Sequence, residues 1–177
     1  MAVPTSLLMQ AAKIVPAVAP QTGGAVDGDW VSLKGYDRCG ILVYIDQNNA
    51  ATTAITVDRA TSVAGANVNA GITMYDWWHI TNTAIGTDAG TNSDTWTKGA
   101  AAASITTSGT GSGASIYYIE VNADDLVAPA SAFGNKYDCL QVKLGASNVA
   151  NYITAIYILF PPRYAQAVSP LPSAIVD

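Results

Sequence analysis

DCLQVKL, residues 138–144, alternates without a break: Leu140, Val142 and Leu144 fall on one side of an extended chain, Cys139, Gln141 and Lys143 on the other. Successive side chains of a strand point to opposite faces, so this period of two predicts a strand with one face on a core. Leu140, Val142 and Leu144 are expected inside, the other three outside. The same period recurs along the chain. SIYYIEV (115–121) sets Tyr117, Ile119 and Val121 against Tyr118 and Glu120, and TAITVDRA (53–60) puts Ile55 and Val57 on one face. ITMYDWWHI (72–80) is strand-like and aromatic. CGILVYID (39–46) and AIYILF (155–160) are apolar on both faces, as centrally placed, doubly covered strands are. Shorter runs at 31–33 and 101–105 add two candidates.

Between these runs lie connections rich in Gly, Ala, Asn and Ser, two of them long (81–95 and 106–115). About eight strands with turn signals between them predict an all-β fold, an antiparallel β-sandwich of jelly-roll type. Pro161-Pro162 is expected to end the last strand, because proline has no N–H for a sheet ladder.

The termini read differently. In residues 1–25, Leu7, Leu8, Ala11, Ile14 and Val15 fit one helical face, with Thr5 or Ser6 as N-cap, before Pro16 and Pro20 impose an extended path. After residue 160, Tyr164, Val168, Leu171, Ile175 and Val176 are spaced along a segment kept extended by Pro170 and Pro172. The expected division is therefore an N-terminal arm (1–25), a sandwich (26–160) and a C-terminal tail (161–177). Free termini are normally polar; two apolar, extended ones suit strand addition or groove docking on neighbouring subunits, or a wrap around their own domain. Leu7, Leu8, Ile14 and Val15 of the arm, with Arg163, Tyr164, Leu171, Ile175 and Val176 of the tail, are the expected assembly contacts.

Composition limits the partners. The 177 residues suit one domain, yet only 12% are charged against 50% hydrophobic. Such a low charge content implies that other molecules cover part of the surface, or that Thr, Ser and Asn supply its polarity. A net charge of −5 with eight scattered basic residues predicts no nucleic-acid partner. No run approaches the ~18 apolar residues of a membrane span, so no membrane partner is expected. Nor does a basic residue precede SLLMQAA, whose apolar run is broken by Gln10 and Lys13; the chain is expected to be made in a cytoplasm. Cys39 and Cys139 have no metal-ligand spacing, and whether they pair is left open.

Catalysis finds little support. His79 is the sole histidine, and no G-x-S-x-G motif accompanies it. Asp76, Glu120, Asp124 and Asp125 supply carboxylates, with nothing in the sequence to pair any two across a cleft. SGTGSGAS (108–115) lacks the Lys-Ser/Thr ending of a phosphate-binding loop and precedes a strand rather than a helix. Asp27 and Asp29, or Asp88, Asn92 and Asp94, lack calcium-loop spacing. The expectation is a non-enzyme with no cofactor and no metal. More informative is the pair Trp77–Trp78: adjacent strand residues face opposite ways, so one is expected buried and the other exposed or covered by a partner.

Three phrases carry a resemblance: GDWVSLKGYDRCGILVYID (28–46), YYIEVNADDL (117–126) followed by YDCLQVKL (137–144), and PPRYAQAVSPLPSAIVD (161–177). Together, about half the chain, they resemble small structural proteins of tailed-phage virions, in particular capsid decoration (cement) proteins. The resemblance implies a β-rich homo-oligomer, a trimer by preference, on the capsid surface, with the major capsid protein as its partner and no catalytic residues. A neck or tail component shares every one of these features. A carbohydrate-binding module, with Trp77 or Trp78 as its stacking platform, is the reading from a different class.

Overall fold

The computed structural model describes residues 11–82, 95–109, 113–126, 137–162 and Ile175. Seven long or medium strands do most of the building: β1 (Lys13–Thr22), β4 (Tyr36–Gln47), β5 (Ala54–Ala60), β6 (Asp76–Asn82), β9 (Gly113–Asn122), β10 (Cys139–Leu144) and β11 (Tyr152–Pro162). Four two-residue strands complete them: β2 (Val26–Asp27), β3 (Val31–Ser32), β7 (Thr97–Lys98) and β8 (Ile105–Thr106). A 3-10 turn, Ala123–Leu126, follows β9. Among the described residues no helix is long and apolar enough to cross a membrane.

The strands form two antiparallel sheets. The larger runs β1-β11-β4-β9-β6-β7; the smaller runs β2-β10-β5-β8, with β3 also pairing β10. The chain crosses between sheets at β1 to β2, β3 to β4, β4 to β5, β5 to β6, β7 to β8, β8 to β9, β9 to β10 and β10 to β11, so the all-β sandwich of jelly-roll type expected from the alternation is what forms. Ile41, Val43 and Ile45 of β4, Ile119 of β9 and Ile55 and Val57 of β5 close the core with Leu140 and Val142.

Tyr157 ties the two sheets together. Gly28 N–H still donates to the Val142 carbonyl of β10 at 2.8 Å, and the chain then pulls away, Asp29 N–H donating to the Ala17 carbonyl. The Val142 N–H is instead accepted by the Tyr157 hydroxyl of the opposite sheet, at 2.8 Å. That hydroxyl in turn donates to the Asp29 carbonyl at 2.9 Å. Nearby, Gln141 Nε2 donates to the Gly28 carbonyl at 2.6 Å. Buried backbone groups need partners, and here two side chains supply them where the ladder is broken.

Four expectations are corrected. Residues 13–22 are no arm: they pair with β11 from Lys13↔Leu159 to Thr22↔Tyr152, so the sandwich begins at Lys13 rather than at residue 26. Of the expected helical face, Ile14 and Val15 lie in this strand, because an open edge of β11 takes them up; Leu7 and Leu8 lie outside the described residues. Register shifts around Val18 bend this edge strand, a common guard against edge-to-edge aggregation. Cys139 and Gln141 are not exposed but buried, because β10 has neighbours on both edges and cover on both faces. Cys139 lies on the face of β10 opposite Leu140, whereas Cys39 is in the core, and the two do not pair with each other. Finally, β11 continues through Pro162, opposite Tyr36. Its pairing with β1 starts only at Leu159, so among the described residues the two prolines are flanked by β4 alone and their missing N–H groups are tolerated.

Candidate functional site

The outer face of the six-stranded sheet is unusually apolar. Register places Pro16, Ile156, Leu42, Tyr118 and Trp78 in one continuous row across β1, β11, β4, β9 and β6. A neighbouring row carries Ile14 and Ile158. None of these side chains is buried; Ile14 remains 40% exposed. The row divides by chemistry into an aliphatic half on β1, β11 and β4 and an aromatic half on β9 and β6.

In the aromatic half, Trp78 and Tyr118 face each other across the β6–β9 ladder with ring centroids 6.0 Å apart and planes 33° apart. Trp96, from the segment before β7, meets Tyr118 nearly edge-on at 6.4 Å and 69°. The three rings line an open concavity of about 290 Å³. Gly40 of β4 makes the geometry possible: a Cβ there would lie 2.6 Å from the Tyr118 hydroxyl, so only glycine lets that ring lie against the sheet.

Charged pairs border the rings. Lys98 sits 5.3 Å from the centre of the Trp78 ring and holds Asp76 at 2.7 Å. Arg38 holds Glu120 at 2.6 Å, and the Tyr118 hydroxyl donates to the other Glu120 oxygen at 3.3 Å. Asp76 and Glu120 are themselves directly opposed in the ladder, so both carboxylates stand on the same side as the rings. Two cations balance two anions.

Burial pushes the Tyr118 phenol up to about 12, helped by the negative charge of Glu120 and by the bond to it, against the pull of Arg38. Burial likewise raises Tyr117 and Tyr157. A phenol whose folded pKa is raised contributes stability that is complete below the ordinary value near 10.0 and is lost as the pH climbs toward the folded value. The protein is therefore expected to keep a level melting temperature up to about pH 9 and to lose stability progressively above pH 10. An ultraviolet phenolate titration should show a group of tyrosines that ionise late. Complete titration near 10 with the fold intact would contradict the packing of these rings.

The predicted site residues are thus distributed. Trp77 points inward: its Nε1 donates to the Ala100 carbonyl at 2.7 Å, its ring occupies the space over Gly99, and it stacks near His79 and Tyr117 at the core margin. Trp78 points outward. Both tryptophans are half-buried, which corrects the expectation of one buried and one exposed: a loop of the chain covers one and its aromatic neighbours shade the other. Ile14 is on the open face and Val15 in the core. Ile175 is 49% exposed. Leu7, Leu8, Arg163, Tyr164, Leu171 and Val176 lie outside the described residues.

His79 lies 5.9 Å from the Tyr117 ring, inside an aromatic stack. Among the described residues, no group of three or more His, Cys, Asp or Glu is placed to hold a metal ion. Sequence reasoning passed over Trp96 and treated Tyr118 only as a strand residue. The register of Tyr118 with Trp78 was open to inspection in the alternation of the two strands; nothing local marked Trp96.

No family model and no curated protein matches the chain. Among solved structures, the SPBc2 prophage-derived protein YomS is similar at 7% identity and a TM-score of 0.42, over 84% of this chain and 91% of its own. A candidate sugar-binding protein from Bacteroides thetaiotaomicron is similar at 12% identity and a TM-score of 0.28, over 84% and 83%. The infectious bursal disease virus Gx strain structure follows at 9% and 0.21, over 85% of this chain and 40% of its own. Likenesses this distant carry no argument about function.

Proposed function

We propose that this chain is a non-enzymatic structural protein of a tailed-phage virion, one that binds the capsid lattice through the aliphatic half of its open sheet face. The observation that carries the reading is the band Ile14, Pro16, Ile156, Ile158 and Leu42, which reaches from the edge strand to the middle of the larger sheet with every member part-exposed. Contiguous apolar surface of this kind is what a docking face presents, and single scattered apolar residues do not produce it. The resemblance of residues 28–46, 117–126, 137–144 and 161–177 to tailed-phage structural proteins supplies the partner, the major capsid protein. A protein that binds only the assembled lattice stabilises it by mass action, repeated at every symmetry-related position.

Quantitative mass spectrometry of purified particles of the encoding phage tests this. The chain is expected in fixed proportion to the major capsid protein. A copy number matching a single ring would make it a neck or tail component instead, and absence from particles would end the virion reading. Light scattering of the purified chain across a concentration series tests the accompanying expectation of a trimer.

A further inference from the structure

We propose that the aromatic half of the same face is a binding site for a neutral saccharide, separate from the aliphatic docking band. Trp78 and Tyr118 form the platform and Trp96 its side wall; Asp76 and Glu120 are the hydroxyl acceptors at its border. A pyranose ring has an apolar C–H face and a rim of hydroxyls. It therefore calls for a flat aromatic surface with charged acceptors at the edge, and the register of β6 and β9 sets those groups two residues apart on two adjacent strands.

Three features favour a sugar over other ligands. The concavity, about 290 Å³, is at the small end of ligand-pocket sizes, right for one or two sugar rings. Lys98 already holds a cation 5.3 Å from the centre of the Trp78 ring, which disfavours a second cation there. Local charge decides the rest. Lys98 and Arg38 already neutralise Asp76 and Glu120, so neither a cationic nor an anionic ligand finds net opposite charge. Both carboxylates keep free lone pairs, and the Asp76 side chain is 45% exposed, so a hydroxyl can reach it. Carboxylate oxygens are strong hydrogen-bond acceptors for a sugar hydroxyl. Gly40 lets the Tyr118 ring lie against the sheet and the bond to Glu120 holds it there before any ligand arrives, which lowers the ordering entropy of binding.

The test is titration of the purified chain with oligosaccharides of glucose, N-acetylglucosamine, galactose and mannose, followed by tryptophan fluorescence and calorimetry, with choline as a cation control. At least one sugar series is expected to bind saturably. Trp78→Ala and, independently, Trp96→Ala are each expected to weaken that binding about tenfold or more. Trp96 lies outside the long strands and is 43% exposed, so its replacement keeps the test valid even where Trp78→Ala perturbs the sheet. Asp76→Asn is expected to weaken binding with the melting temperature unchanged. Saturable binding of choline alone, binding indifferent to both tryptophan variants, or no binding to any of the sugars would each overturn the proposal. None of these outcomes bears on the capsid reading, which rests on the other half of the face.

Discussion

Tyr157→Phe is expected to destabilise the protein by about 1–3 kcal/mol, the range for leaving buried polar groups without partners. The ring would stay and only the oxygen would go. That oxygen accepts from the Val142 N–H and donates to the Asp29 carbonyl, on a side chain with no exposed surface. No ladder bond can replace it, because the Gly28 carbonyl accepts from Gln141 Nε2 and Asp29 has already turned away to Ala17. The midpoint should fall by roughly 2–4 °C for each kcal/mol in a chain of this size. Tyr157→Ala removes the ring as well, and large-to-small core replacements of aromatics cost about 3–5 kcal/mol by the cavity alone. With the lost hydrogen bonds, this approaches the whole of a marginal domain's stability, ~5–15 kcal/mol, and the Ala variant is expected to be largely unfolded. Urea unfolding of the Phe variant decides the matter. An unchanged midpoint would show that the hydroxyl does not hold the sheets together.

Tyr157 also shows why so much of this fold is legible in the sequence and where legibility stops. Alternation in 115–121 and 138–144 identified strands and their core faces, because a half-buried strand writes its burial into every second residue. The runs 39–46 and 155–160 could be read as centrally placed for the same reason, with both faces apolar. Alternation says nothing about what covers a strand's second face. Hence Cys139 was expected outside, although both faces of β10 are covered. It is equally silent on long-range pairing. Residues 13–22 carry two prolines and no clean period, and they form a strand because β11 offers them an open edge 130 residues or more away in sequence. The site suffers the same limit. Trp78 was singled out for its place in the pattern, and Trp96 became its neighbour only through the β6–β7 pairing.

Ile156→Asp is expected to abolish capsid association while leaving the sandwich folded. Ile156 stands at the centre of the aliphatic band, opposite Pro16 on one side and Leu42 on the other. Its side chain is part-exposed, so a carboxylate there keeps access to water; the same change at Val43 or Ile41, fully buried in the same sheet, would put a charge in the core. In a docked complex, by contrast, that carboxylate is desolvated against an apolar partner without a counter-charge. Central interface positions of this kind carry at least about 2 kcal/mol each, or roughly thirtyfold in affinity, before repetition over the lattice multiplies the effect. Competition between wild-type and variant chains for particles stripped of the protein measures it directly, with circular dichroism to verify the fold. A folded variant that competes as well as the wild type would remove the aliphatic band from the interface. If the variant also loses self-association in light scattering, the band joins copies of the chain to one another, and lattice binding follows from the oligomer rather than from a direct contact with the shell.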